Sequence, residues 1–330
     1  MAVPDAPDLP RRFAIASALA RLVFGLAGYG LILFVSPQAH QLRALYAQPA
    51  ALGPMVARGL AAILLAGLAA WCVTRRWLAR RGAGRLARPG RTLAGYVGLL
   101  WAGLLAAEIL QAYSGVWLAG LARRLAAPGG GMRIPPALFA ALLSAMAAAA
   151  LELLCAWAAL RVALWRSRTA GGAAPAYTAD HAAAIAAASL LVWQWLIVLG
   201  LVPFLGIGLL ERQSSLAAYA LGYWALPAAL AALALAVNRR HVPRALGGAD
   251  APRAVAHGSL SFWLAQAAGI GLVALALMNV DSAGIQAFSR SPAAPWIRLL
   301  AYAALQSLSC ALCARLLYGR RGGAAPAAAA

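Results

Sequence analysis

The sequence predicts an all-α fold: a polytopic transmembrane helical bundle of about eight spanning helices, N-in/C-in. Three observations carry this. The 330 residues are 64% hydrophobic and 11% charged, with a mean hydropathy of +0.77. Eight separate stretches are each long and apolar enough to cross a bilayer. The arginines crowd into alternate connections between those stretches. A soluble domain carries about 25% charged residues, and even a large one buries only about 75% of its unfolded surface. Lipid is the natural solvent for the excess apolar surface here.

A span needs about 20 apolar residues to cross roughly 30 Å of hydrocarbon. The stretches that qualify are 13–35, 55–74, 92–113, 137–160, 182–210, 216–237, 260–280 and 297–318. The first begins after Arg11 and Arg12. Its Ala18-Leu19-Ala20 resembles a signal-peptidase site, yet the apolar run continues to Val35. That is well past the ~7–15 residues of a cleavable signal core, so the first span is expected to stay uncleaved. The second span precedes an arginine-rich run with Trp77, Leu78 and Leu86 interleaved. The third carries Gly95, Gly98 and Gly103, which permit close helix packing, and extends towards Leu121. Pro128-Gly129-Gly130-Gly131 and Pro135-Pro136 separate it from the fourth. Gly171-Gly172 and Pro175 follow the fourth. The fifth holds Pro203 among Gly200, Gly206 and Gly208, where a missing backbone N–H favours a kink. A tight hairpin at 211–215 leads to the sixth. Gly247-Gly248 and Pro252 lead to the seventh, which carries Gly269 and Gly271. Trp71, Trp77, Trp117, Trp165 and Trp296 fall near span ends, as an aromatic belt requires. The expected domains are a cytoplasmic segment 1–12, one transmembrane domain 13–320, and a disordered low-complexity tail 321–330.

All 28 basic residues are Arg, and the net charge is +20. With the N-terminus inside, 18 arginines fall in cytoplasmic segments and 6 on the opposite side. This bias sets orientation. Arg123, Arg124 and Arg133 are the three that sit awkwardly outside. Because the charge is spread over short loops, nucleic acid is not an expected partner. The lipid bilayer is, with anionic head groups drawn to Arg75–Arg91. Arginine without lysine points to GC-rich coding and so to a bacterial cytoplasmic (inner) membrane. It also removes a phosphate-loop lysine and any Schiff base.

A charge inside a span is costly, by about 2.5–3.5 kcal/mol on insertion scales. Glu108 and Glu152 are the two carboxylates so placed. Arg21 matches Glu152 in depth, and Arg58 nearly matches Glu108. Two readings follow: two structural Arg–Glu pairs that neutralise buried charge, or a carboxylate that is a proton or cation site with an arginine that tunes it or binds an anionic substrate. A second polar set is Trp193, Gln194 and Trp195 on the fifth span, with Gln266 and Gln306 on the seventh and eighth. These residues either line a hydrated path or make interhelical hydrogen bonds, each worth about 0.6 kcal/mol. Cys310 and Cys313 share a helix face, but the remaining cysteines, Cys72 and Cys155, do not complete a metal set. His40, His181, His241 and His257 all read as lying outside the mid-span regions, which argues against a buried bis-histidine haem. A cytoplasmic cluster of Asp180, His181, His241 and His257 is a weaker alternative. No metalloprotease or serine-hydrolase motif occurs, and no cofactor is expected. Three function classes remain: a transporter or permease-like protein for a small solute or lipid-linked molecule, a non-catalytic subunit or assembly factor of a larger complex, and a membrane-embedded enzyme acting on lipid. A reporter fused at Gly130 should read out as extracytoplasmic in a topology assay. A cytoplasmic readout would mean that the third or fourth span is misassigned.

Overall fold

The computed structural model describes residues 9–125, 134–171, 177–205, 220–244, 246 and 251–319. Eight of its helices are long and apolar enough to cross a membrane. The chain is an integral, multi-pass membrane protein. In order the elements are α1 (Leu9–Phe34), α2 (Ala39–Tyr46), α3 (Pro49–Arg81), β1 (Arg85–Leu86), α4 (Pro89–Leu125), α5 (Ile134–Trp165), β2 (Thr169–Ala170), α6 (Ala179–Leu205), α7 (Leu226–His241), α8 (Ala251–Asn279), α9 (Ser282–Arg290) and α10 (Ala294–Tyr318). A π-helical turn, Leu221–Ala225, leads into α7.

Helices dominate because lipid supplies no hydrogen bonds to the backbone. For the same reason they overrun the apolar stretches that announce them. The helix α3 continues to Arg81, carrying Arg75, Arg76, Arg80 and Arg81 on its last turns. Arginine is a good helix former, and cations suit the negative end of a helix dipole. Two of these arginines lie over tryptophan faces: Arg75 sits 5.2 Å from the ring centre of Trp71, and Arg81 sits 4.8 Å from that of Trp77. Gly82 ends α3 at φ 59°, a left-handed cap that favours glycine. Arg85 and Leu86 then pair antiparallel with Ala170 and Thr169. The supposed loop of 75–91 is thus mostly ordered backbone, and only a short part of it connects helices.

The described residues form two compact units. One comprises residues 1–176 and 194–227, the other 177–193 and 228–330. In the first, α4 packs along α5, and α3 touches both α1 and α5. Its core joins Phe13, Leu78, Tyr96, Leu100, Leu160 and Leu164. Ser17 knits three helices: the Tyr96 hydroxyl lies 2.6 Å from Ser17 Oγ, which donates to the Ala66 carbonyl at 3.0 Å. Gly103 admits Cys155, whose thiol donates to the Gly103 carbonyl at 3.3 Å. Gly95 and Gly98 meet nothing within 4 Å, so of the three glycines only Gly103 serves close packing.

In the second unit α8 packs along α10. Beside large side chains such as Leu190 and Phe262, the unit buries many small or polar ones: Ala186, Ala254, Ser261, Ser309, Cys310 and Ala314. Side chains of this size let backbones approach closely. A Cβ on Gly258 would overlap the Ala186 carbonyl, whereas one on Gly271 would meet open space. The helix α6 runs through Gly200 and Pro203 to Leu205 without a break. The hairpin at 211–215, the arginine at 133 and the tail 321–330 lie outside the described residues.

Among the described glycines of the second unit, this packing makes Gly258 the least replaceable. Gly258→Ala should lower stability in detergent by about 1–3 kcal/mol, the usual cost of overpacking. Gly271→Ala should leave it unchanged. Thermal unfolding of the two purified variants checks the contrast.

Candidate intramembrane charge site

The ends of α3 and α5 and the starts of α1 and α4 are taken as the zero for depth in the first unit. At 1.5 Å per residue, Arg21 lies roughly 18 Å from the start of α1, and Glu152 lies roughly 20 Å from the end of α5. By the same rise Tyr29 and Glu108 sit roughly 28–30 Å up α1 and α4, with Arg58 and Gln111 roughly 33–35 Å from that end. The charges therefore form two tiers.

The lower tier is a closed ion pair. Arg21 Nη2 donates to Glu152 Oε1 at 2.7 Å, and the two side chains are 12% and 13% exposed. Arg21 also lies 5.8 Å from the ring centre of Phe24, one turn along α1. Beside it Trp101 of α4 donates its indole N–H to the Ala20 carbonyl at 3.0 Å. That contact fixes α4 against α1 at the depth of the pair. A Cβ on Gly25 would lie 3.4 Å from the Arg21 guanidinium, an ordinary van der Waals contact.

The upper tier is open. Arg58 does not pair with Glu108 as the depth match suggested. It donates to Gln111 Oε1 at 3.2 Å. Gln111 follows Glu108 by three residues, so both share one face of α4. Glu108 itself is exposed and makes no hydrogen bond or ion pair among the described residues. Tyr29 of α1 lies within electrostatic reach of Arg58, Glu108 and Arg21, and of Tyr46 on α2. The Tyr29 and Tyr46 rings meet edge to face, their centres 6.4 Å apart. Neither Tyr29 nor Gln111 stood out in the sequence. Gln111 had one usable signal, its helical spacing from Glu108. Tyr29 had none, because its role depends on how α1 and α4 are placed.

The second polar set does not converge. Trp193 donates to Ser259 Oγ at 2.9 Å, and Trp195 donates to the Tyr223 carbonyl at 2.9 Å. Gln194 is buried. Gln266 donates to the Tyr302 hydroxyl at 2.6 Å, and Gln306 to the Leu230 carbonyl at 3.0 Å. Gln266 and Gln306 thus stitch α8 to α10 and α10 to α7. These two bonds are of the interhelical kind.

One residue needs correcting. His257 lies on α8, seventh in that helix, and is fully buried. It is no loop histidine. Its Nε2 lies 3.0 Å from the Cys310 carbonyl and donates to it, while Tyr318 packs edge-on at 5.6 Å. Hydropathy misplaced it because Pro252, Arg253 and Gly258 depress the apolar signal, although Pro is well tolerated in a first helical turn. Asp180 pairs instead with Arg239 at 3.1 Å, His181 bonds to Thr178, and His241 bonds to the Val237 carbonyl. Cys72, Cys155, Cys310 and Cys313 are free thiols. Among the described residues no three His, Cys, Asp or Glu side chains are grouped to hold a metal ion.

The lower tier is open to a direct test. Arg21→Glu and Glu152→Arg should each lose about 3–5 kcal/mol, the cost of leaving a buried charge unpaired. The double exchange should recover most of the folded yield, measured by size-exclusion chromatography in detergent. Equal loss in the double variant would mean the two groups do not act on each other. Comparison of the chain with protein-family models, with curated proteins and with solved structures returned no match.

Proposed function

We propose that this protein is a transporter or permease-like protein for a small solute or a lipid-linked molecule. In this reading it resides in a bacterial cytoplasmic membrane with both termini inside. The single observation that supports it is the two-tier arrangement of charge in the first unit. A closed pair, Arg21–Glu152, lies beneath an open set, Arg58, Glu108 and Gln111. A structural role alone accounts for the closed pair. It does not account for an exposed carboxylate at membrane depth, which is expensive unless something charged or polar meets it. A site of this kind takes a ligand by supplying Glu108 with a cation or donor and Arg58 with an anion.

Orientation follows from the arginine bias. It puts the open tier towards the extracytoplasmic side and Arg75–Arg91 at the cytoplasmic face. There the arginines suit anionic head groups, each worth about 1 kcal/mol near the surface. A second reading, a non-catalytic subunit of a larger complex, draws on the same exposed Glu108, which a partner helix carrying a donor would cover.

Reconstitution separates the two. Proteoliposomes challenged with a panel of small anions, cations and zwitterions should show pH-dependent uptake or charge displacement with at least one member. Glu108→Gln should abolish that signal while helix content is unchanged. No response across the panel, together with a polypeptide co-purifying in fixed proportion in mild detergent, would favour the subunit reading.

A further inference from the structure

We infer that the open tier binds a zwitterion: a group bearing an ammonium and an anionic phosphate or carboxylate on a short linker. The inference rests on the proposal that the open tier is a ligand site, and it names the class of ligand.

Four observations lead to it. Arg58 and Glu108 are both exposed, so both charges are offered outward. Among the described residues Arg58 bonds to a neutral amide, Gln111, at 3.2 Å. That is a weaker partner than an oxyanion for a guanidinium. Glu108 shares a helix face with Gln111 and has no hydrogen bond or ion pair of its own among the described residues. Arg58 thus bonds to a residue one helical turn from Glu108, and the two opposite charges do not close on each other. Tyr29 and Tyr46 stand beside them as an edge-to-face aromatic pair.

Ligand charge is selected by neutrality. The lower pair is already balanced, and the upper tier adds one positive and one negative group. A lone anion on Arg58 leaves Glu108 uncompensated at membrane depth, and a lone cation leaves Arg58 so. A zwitterion alone compensates both while adding no net charge to a low-dielectric site. A primary ammonium gives the Glu108 carboxylate charge-assisted donors. A phosphate or carboxylate accepts from Arg58 in the two-pronged geometry that guanidinium favours. The chemistry has two sources: an aminophospholipid head group, or a free zwitterionic solute.

Native mass spectrometry of the detergent-purified full chain tests this with three probes. They are phosphatidylethanolamine, phosphatidylglycerol, and soluble ethanolamine phosphate, which lacks acyl chains. Phosphatidylethanolamine, ethanolamine phosphate, or both should bind the wild type more tightly than phosphatidylglycerol does. Glu108→Gln should weaken the zwitterions by about tenfold, the loss expected from one charge-assisted bond, and leave phosphatidylglycerol unchanged. Glu108→Asp should restore part of that affinity. Arg58→Gln should weaken all three. If ethanolamine phosphate binds with the same dependence on Glu108, the source is a free solute. If only phosphatidylethanolamine does, it is a lipid. Equal binding of phosphatidylethanolamine and phosphatidylglycerol with no binding of ethanolamine phosphate would overturn the inference, as would zwitterion affinity indifferent to Glu108→Gln. Transport is read separately: uptake of a non-zwitterionic solute with this binding absent would sink the ligand class and leave the transport reading standing.

Discussion

The absence of water from the hydrocarbon governs this structure. A polar group that enters it must find its partner within the protein. The backbone meets the condition by forming helices that run past the apolar stretches into arginine-rich ends. Side chains meet it by reaching for neighbouring helices. Ser17, Tyr96 and the Ala66 carbonyl join α1, α3 and α4 through one hydroxyl chain. Trp101 joins α4 to α1, and Gln306 joins α10 to α7. Since lipid tails are as apolar as leucine, apolar contact alone gives little drive to helix association. Polar contacts and close backbone approaches, as at Gly103 and Gly258, therefore set which helices meet.

The same condition divides the intramembrane charges into two kinds. Arg21 and Glu152 pair with each other and tie α1 to α5. Phe24 lies beside the guanidinium. Glu108 is of the other kind: an exposed charge with no hydrogen bond or ion pair among the described residues. That is why function is proposed for it and not for Gln266 and Gln306, which bond to neighbouring helices.

Much of the fold was legible in the sequence, for a physical reason. Eight spans are a property of length and hydropathy, and both are local. Span ends were less legible, because hydropathy falls where arginine begins while helicity does not, as α3 shows by continuing to Arg81. The same blindness misplaced His257, whose neighbours Pro252, Arg253 and Gly258 look like a loop but start α8. Depth counting brought Arg21 to Glu152, since two helices crossing the same bilayer share one ruler. It could not decide between Glu108 and Gln111 as the partner of Arg58, because one helical turn separates them and rotation about the helix axis is not written in a hydropathy profile. Tyr29 and Tyr46 were illegible for the same reason. The Pro203 cluster suggested a broken fifth helix. Yet α6 passes through Pro203, and the irregular turn is at Leu221–Ala225 instead.

The question that remains is why Arg58 and Glu108 do not simply neutralise each other. Arginine has the reach, and an Arg–Glu pair on neighbouring helices is the solution already used one tier below. The difference lies in exposure. The lower pair is largely enclosed, so its Coulomb attraction acts at low dielectric and holds it closed. The upper groups are not enclosed, so no such wall holds them together. Closing Arg58 onto Glu108 would also forfeit its bond to Gln111. The upper tier is therefore balanced between self-pairing and ligand binding. A ligand carrying both charges tips that balance, since it replaces one weak internal pair with two charge-assisted contacts and encloses both. A ligand carrying one charge gains a single contact and strands the other residue. The unmet carboxylate at membrane depth is thus what makes a zwitterion the favoured occupant.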